Sequence, residues 1–240
     1  MKWYIPREHG AWAMLIVPYW TAAAAVGVSI HHVWFFMGIF FVYLTQAPLL
    51  TWIKQPSIND GWPSFIVYLS IGLIFTIPYL AAYTEILKIS LFIIPFFMMN
   101  VLFAKMKKER LLINDACAIA GLSGLGFLAW QLGGEPVTEM IVLIVLFNFV
   151  FFCGSVFHVK GLIREKRNVL FKRIGKGYHI LLILFFYVFA SMPLVVVGII
   201  TFIKTLTLDE QVLDRPVKIG VVEIMNSIAF FIGVVMFVWG

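Results

Sequence analysis

The sequence predicts an all-α, polytopic integral membrane protein, a bundle of eight or nine transmembrane helices that forms a single transmembrane domain over residues 1–240. Composition is the first reason: 62% of the residues are hydrophobic and only 12% are charged, too few to cover a water-soluble domain. The second reason is that apolar runs near the roughly 20 residues needed to cross a bilayer recur along the chain. These runs do not alternate polar and apolar residues, as the strands of a β-barrel would.

Seven of the predicted spans have clear limits. Pro6 stops a helix upstream of the first span, and turn-forming residues in KQPSINDGWP separate the second from the third. The basic link KMKKER and the acidic link GGEPVTE divide later runs, and the glycines of GLSGLG in the fifth span allow another backbone to approach closely. The expected spans are about 10–30, 33–52, 63–83, 86–104, 111–131, 137–159 and 219–239.

Residues 177–208 decide between eight and nine helices. This stretch is nearly continuous in its apolar character, too long for one upright helix and short for two, since a span needs roughly 17–25 residues. Ser191-Met192-Pro193 is either the tip of a tight hairpin or a kink in one tilted helix. Both alternatives remain open from the sequence.

Basic residues predict the orientation. The stretch HVKGLIREKRNVLFKRIGK, residues 158–176, holds seven Lys and Arg with Glu165 as its one carboxylate, and we expect it at a membrane surface. With the N-terminus and the links after spans two, four and six on one side, that side collects 14 basic residues against Lys88 alone on the other. The positive-inside rule then predicts a cytoplasmic N-terminus. A hairpin at 177–208 would place Arg215 and Lys218 on the cytoplasmic side too.

Charged residues cluster near the ends of the predicted spans. The contiguous Arg-Glu-His of residues 7–9 exceeds what membrane anchoring requires. The net charge of +6 is clustered beside apolar spans, which favours membrane lipids or an anionic ligand over nucleic acid. The alternative is that these charges only set topology, cap helices or contact headgroups, and that His158 is a hydrogen-bonded interface residue. Glu223 lies inside a span, where an ionisable residue is a functional candidate by default. The other candidates are Arg7, Glu8, His9, Asn114, Asp115, His158, Lys160, Arg164 and Glu165.

The chain resembles two families. REHGAW, KKERLLINDA, FHVKGLIRE and RPVKIGVVEI, which span nearly the whole chain, are similar to the YwiC-like family of bacterial membrane proteins. More distantly, the order of AKMKKER and GLSGLGFLAW resembles the fourth-to-fifth helix junction of the UbiA superfamily of intramembrane prenyltransferases. The second resemblance implies a UbiA-like arrangement of helices around a cavity that holds a prenyl diphosphate.

The sequence departs from that superfamily at its metal-binding motifs. Two Asp-rich loops there hold Mg²⁺ on the diphosphate, because Mg²⁺ prefers carboxylate and phosphate oxygens. The first corresponding loop here has Asn59 and Asp60 without a second carboxylate, and the second has Lys160 and Arg164 where acidic residues would stand. A Mg²⁺ site is therefore only weakly supported, with Asp60 and Asp115 as its candidate ligands.

Three functions follow as hypotheses. The first is a diverged UbiA-like enzyme or binding protein that holds an isoprenoid or lipid phosphate in a cavity on the cytoplasmic side. The second is a non-catalytic binding or assembly factor, and the third is a small transporter. In the first, Asp60, Asp115 or His9 would act on a metal or a proton, and the anion would be held by Arg7, Lys105, Lys108, Lys160 and Arg164.

Overall fold

A computed structural model describes residues 3–6, 9–57, 59–208, 213 and 215–240, and for His9 the backbone alone. The described residues form ten α-helices and no strand. Their bounds are α1 His9–Val26, α2 Ile30–Leu44, α3 Gln46–Lys54, α4 Trp62–Ala82, α5 Thr84–Lys105, α6 Leu112–Leu132, α7 Glu139–Ile163, α8 Val169–Phe189, α9 Met192–Thr207 and α10 Pro216–Trp239. The all-helical prediction is confirmed.

Helices α2 and α3 belong to one apolar segment that is interrupted at Thr45. Pro48 lies in the first turn of α3, where it has no N–H to donate to the carbonyl of Leu44 and its ring crowds that carbonyl. The Thr45 hydroxyl instead donates to Val42 O at 2.6 Å. The segment Ile30–Lys54 is one of six that are apolar and long enough to cross a membrane, judged by length and composition.

The stretch 177–208 contains a hairpin, which settles the alternative left open by the sequence. Helix α8 ends at Phe189, Ser191 has extended backbone angles, and Pro193 lies at the start of α9. The two helices pack closely, since a Cβ on Gly198 would lie 3.3 Å from the Phe186 ring. With α2 and α3 counted as one, the described residues form nine helices.

The loops meet at two ends of the bundle. At one end, Lys54 at the end of α3 pairs with Glu109 before α6, with 3.0 Å between Nζ and Oε1. At the other end, the Trp239 indole donates to Ala24 O at 3.2 Å. We call the first the basic end, because the links at 55–61, 106–111 and 164–168 lie there together with most of the Lys and Arg residues.

Glycines of α6 allow it to pack in the centre of the bundle. A Cβ on Gly126 would lie 3.2 Å from the carbonyl oxygen of Pro18 in α1, and one on Gly121 would lie 3.0 Å from Phe96 in α5. The predicted close approach at GLSGLG is therefore confirmed, on two faces of the helix. Further along the core, Phe151 of α7 stacks on Phe230 of α10 with ring centroids 4.0 Å apart.

Two histidines are buried between helices. His32 is fully buried, and its Nε2 is 3.0 Å from the Ala129 carbonyl oxygen. His179 is also fully buried, with Nδ1 2.7 Å from Gly175 O. Both rings have backbone carbonyl partners that satisfy one of their nitrogens.

Candidate binding cavity at the basic end

A cavity of about 630 Å³ opens at the basic end of the bundle. Its wall is made by the ends of α1, α3, α5, α6, α7 and α10 that meet there, together with Tyr43 of α2. Lys54, Ile163 and Arg164 on this wall are exposed, whereas the deeper Ile119 and Phe152 are almost completely buried. The polar or charged lining residues include Gln46, Lys54, Asn100, Glu109, Asn114, Asp115, Ser155, Lys160, Arg164, Glu223 and Ser227.

Lys160 is held at the cavity wall by two partners. Helix α7 continues to Ile163, so Lys160 lies inside the bundle, with a side chain 9% exposed. Its ammonium forms an ion pair with Asp115 of α6 and donates to the Arg110 carbonyl oxygen at 2.7 Å. Lys160 therefore connects the end of α7 to the start of α6 through these two contacts.

Arg164 has no such partner among the described residues. It follows the last residue of α7 as its C-cap, one turn beyond Lys160, and both residues line the cavity. Residues four apart on a helix are neighbours on one face, which accounts for their common position on the wall. Arg164 is exposed and forms no ion pair with any residue in the described part of the chain. Its guanidinium is available to a ligand.

Asn114 and Asp115 lie in the first turn of α6 and line the cavity. The Asp115 carboxylate forms an ion pair with the Lys160 ammonium from α7. Asn114 Nδ2 donates to Glu109 O at 3.0 Å, and Asn114 Oδ1 has no hydrogen-bond partner among the described residues. A carboxylate in the first turn is also favourable for the helix dipole, so Asp115 has a structural role there.

Glu223 contributes a second ion pair deeper in the wall. The Lys204 ammonium of α9 donates to Glu223 Oε1 at 2.6 Å, and the two side chains are only 6% and 5% exposed. His158 Nε2 lies 4.0 Å from the same Oε1. His158 is thus buried between helices, and α7 runs past it to Ile163.

Other residues predicted for the site do not line this cavity. Asn59 and Asp60 lie on the exposed link between α3 and α4, where Asp60 Oδ1 accepts from the Tyr4 hydroxyl at 2.6 Å. Glu165 accepts from the Asn168 amide at 2.9 Å. Two exposed lysines at the α5–α6 link are also outside the lining, namely Lys105 and Lys108.

Three predicted residues cannot be placed. Arg7 and Glu8 lie outside the described residues, and so does the side chain of His9. Pro6 and Gly10, on either side of them in the sequence, both line the cavity. The roles given to Arg7, Glu8 and His9 stay predictions.

The carboxylates that the structure brings to the cavity do not resemble a Mg²⁺ site. Within the described part of the chain, no group of three or more His, Cys, Asp or Glu side chains could hold a metal ion. Asp60 is not in the wall, and the Lys160 ammonium that contacts Asp115 would repel a cation. We therefore assign no step to Mg²⁺.

Sequence reasoning missed one cation that matters here. Lys204 neutralises Glu223 inside the bundle. A signal for Lys204 was present, since it is an isolated charge at the end of an apolar run and such charges generally pair within a bundle. Its partner, 19 positions away on the next helix, could not be read from the sequence.

Comparison with known proteins identifies the family. A model of the YwiC-like protein family matches residues 5–130. A Bacillus subtilis (strain 168) relative, called Uncharacterized protein YwiC, is 30% identical over 243 residues, covering 98% of this chain and 97% of the relative. A Haemophilus influenzae relative, called Uncharacterized protein, is 26% identical over 234 residues, with 97% of each chain covered. No solved structure matches significantly. The chain, a multi-pass helical membrane protein, belongs to the YwiC-like family.

Proposed function

We propose that the cavity binds an amphiphile with a phosphate or diphosphate headgroup, of the isoprenoid phosphate or lipid phosphate class. The observation that supports this most is the position of Arg164, a cation without a partner in the described part of the chain, on the wall of a cavity of about 630 Å³. A guanidinium presents a planar fork of donors that fits phosphate oxygens. The headgroup would lie at Arg164.

The remaining wall suits an apolar tail. Beyond the entrance, the lining includes Met14, Leu50, Phe97, Ile119, Leu122 and Phe152. A volume of about 630 Å³ is within the usual range for small-molecule pockets, roughly 300–1,000 Å³. A cavity with an apolar interior and cations at its entrance is expected to bind a lipid-like anion.

The proposal includes the orientation. With the hairpin of α8 and α9, residues Lys204, Arg215 and Lys218 join the 14 basic residues of the basic end, against Lys88 at the other. Under the positive-inside rule this end faces the cytoplasm, in a bacterial inner membrane. The cavity would then receive its headgroup from the cytoplasm. The UbiA-like arrangement of the nine helices also belongs to this proposal.

The proposal concerns binding of the phosphate-bearing amphiphile and does not include transfer of a prenyl group. The described wall has no group of carboxylates for a metal, and Lys160 already has Asp115 as a counter-ion. A binding or assembly factor would use the same cavity without chemistry. The diverged-enzyme hypothesis would require a prenyl acceptor as well, which can be tested only after a ligand is known.

The test measures binding of radiolabelled geranylgeranyl diphosphate and of geranylgeraniol to the purified protein in detergent. We expect the diphosphate to bind more tightly than the alcohol. Arg164→Gln should weaken diphosphate binding by about tenfold or more, the typical effect of losing a charged hydrogen bond, and leave the alcohol within about twofold.

Arg167→Gln is the matched control, because Arg167 is an exposed cation three residues further on that does not line the cavity. It should not change either affinity. Equal affinities for the diphosphate and the alcohol, or equal losses in the Arg164 and Arg167 variants, would contradict the proposal. The orientation places Gly240 on the outer side. Activity from a reporter that functions only in the cytoplasm, fused after Gly240, would contradict it.

A further inference from the structure

A group of unsatisfied polar atoms lies deeper in the bundle than the proposed headgroup position. Ser155 Oγ and His158 Nε2 on α7 and Glu223 Oε2 on α10 are buried and have no hydrogen-bond partner in the described part of the chain. Ser155 and Glu223 line the cavity. Buried polar groups in proteins are almost always hydrogen-bonded, so three such atoms together point to a group that is bound there.

The positions of these atoms are fixed by their helices. Ser155 and His158 are three residues apart on α7, and residues with that spacing are neighbours on one helix face. His158 Nε2 lies 4.0 Å from Glu223 Oε1, which is too long for a direct hydrogen bond but short enough for one oxygen to contact both side chains. A ligand that satisfies these atoms therefore needs a hydrogen-bond donor and an acceptor in one small group.

The charges around the site select a neutral ligand. Lys204 Nζ lies 2.6 Å from Glu223 Oε1, so the buried pair is already balanced. An added anion would be repelled by the Glu223 carboxylate, and an added cation by the Lys204 ammonium, at low dielectric. His179 of α8 has its Nε2 3.4 Å from Thr205 Oγ1.

We propose that Ser155, His158 and Glu223 form an inner subsite for the hydroxyl group of an alcohol or phenol with an apolar body. A hydroxyl donates one hydrogen bond and accepts others, so it can donate to Glu223 Oε2 while accepting from His158 or Ser155. The adjacent lining residues Ile119, Leu122 and Phe152 suit the apolar body. This subsite does not depend on phosphate binding at Arg164.

The experiment compares 1-naphthol with naphthalene, which lacks only the hydroxyl, by equilibrium dialysis of the purified protein with a detergent-only reference. We expect 1-naphthol to bind about tenfold more tightly, as two net hydrogen bonds would give. The double variant Lys204→Met/Glu223→Leu removes both charges, keeps an apolar filling, and should abolish the preference. Ser155→Ala should reduce it roughly two- to threefold.

Ser123→Ala is the matched control, because Ser123 is equally buried and its hydroxyl is also unpartnered, but it does not line the cavity. It should keep the full preference for 1-naphthol, and so should Arg164→Gln, which separates this subsite from the proposed phosphate site. Equal binding of the two probes to the wild type would mean that the unpartnered atoms hold only water, and it would overturn the proposal. So would a preference that survives in the double variant.

The hydroxyl could belong to the phosphate-bearing amphiphile or to a second molecule. Saturating geranylgeranyl diphosphate distinguishes the two sources, given the proposed function. Displacement of 1-naphthol would show that the apolar tail of a ligand bound at Arg164 reaches the inner subsite, so that one molecule can occupy both. Simultaneous binding would show that the inner subsite takes a second molecule. Geranylgeranyl diphosphate has no hydroxyl group, so the hydroxyl preference itself is tested by the comparison of 1-naphthol with naphthalene.

Discussion

The Lys160–Asp115 ion pair, here called the entrance pair, and the Lys204–Glu223 ion pair, here called the inner pair, contact the same cavity but differ in their access to water. In the pair at the entrance, the Asp115 side chain is 22% exposed beside Lys160, whereas Lys204 and Glu223 in the inner pair are 6% and 5% exposed. Charges with some access to water can exchange partners at small cost, while charges at low dielectric must stay paired. In the entrance pair, a charged ligand can replace one of the two partners. The inner pair stays together and forms a fixed part of the cavity wall.

The largest expected effect comes from separating the inner pair. Lys204→Met leaves Glu223 charged and buried, which should lower the free energy of unfolding by about 3–5 kcal/mol. Lys204→Met/Glu223→Leu should recover most of that loss, because buried pairs can often be replaced by apolar residues of similar volume. Denaturant titration in detergent measures both, and a double variant as unstable as the single one would mean that the charges themselves are required.

Breaking the entrance pair should cost less. Lys160→Met removes the contacts with Asp115 and with the Arg110 carbonyl oxygen, but Asp115 can still contact water in the cavity. We expect a loss of about 1–3 kcal/mol, the usual range for hydrogen bonds to charged groups. A loss equal to that of Lys204→Met, in the same titration, would remove the distinction between the two pairs.

Removing the charge of Asp115 should improve anion binding. Asp115→Asn frees the Lys160 ammonium, and we expect geranylgeranyl diphosphate to bind roughly three- to tenfold more tightly, a change of about 0.7–1.4 kcal/mol. Asp60→Asn is the comparison, since Asp60 bonds to Tyr4 away from the cavity, and it should have no effect. If both variants instead weaken binding, Asp60 and Asp115 act together, as the predicted Mg²⁺ ligands would.

The smallest effect is expected for an ion pair open to solvent. Lys88 and Glu85 are 64% and 56% exposed and lie 2.7 Å apart at the start of α5. Lys88→Gln should change the free energy of unfolding by less than about 1 kcal/mol, as exposed pairs typically do. A larger loss by denaturant titration would show that exposure is a poor guide to the strength of ion pairs in this protein.

The helices could be predicted from the sequence because their limits are local. Spans expected at 63–83 and 111–131 are observed as Trp62–Ala82 and Leu112–Leu132, since apolar length and flanking turn residues determine both ends. The hairpin at 177–208 could not be decided, because a proline in an apolar run is compatible with either a kink or a turn. Packing of Gly198 against Phe186 favours the turn.

The site was predicted less completely. Lys160, Arg164, Asp115 and Glu223 were candidates and all line the cavity, because charges near helix ends or inside spans are visible in the sequence. Their partners depend on which helices are neighbours, so the pairing of Lys204 with Glu223 could not be predicted. Lys105 and Lys108 belong to the same basic link as Arg110, and nothing in their order shows that they point away from the cavity.

The most direct test of the proposed ligand class is mass spectrometry of the lipids that co-purify with the wild type and with the Arg164→Gln and Arg167→Gln variants. The account predicts an isoprenoid or lipid phosphate that is enriched with the wild type and the Arg167 variant and depleted in the Arg164 variant. Only bulk phospholipid, in equal amounts with all three proteins, would contradict it and would leave Arg164 as a residue that sets membrane topology.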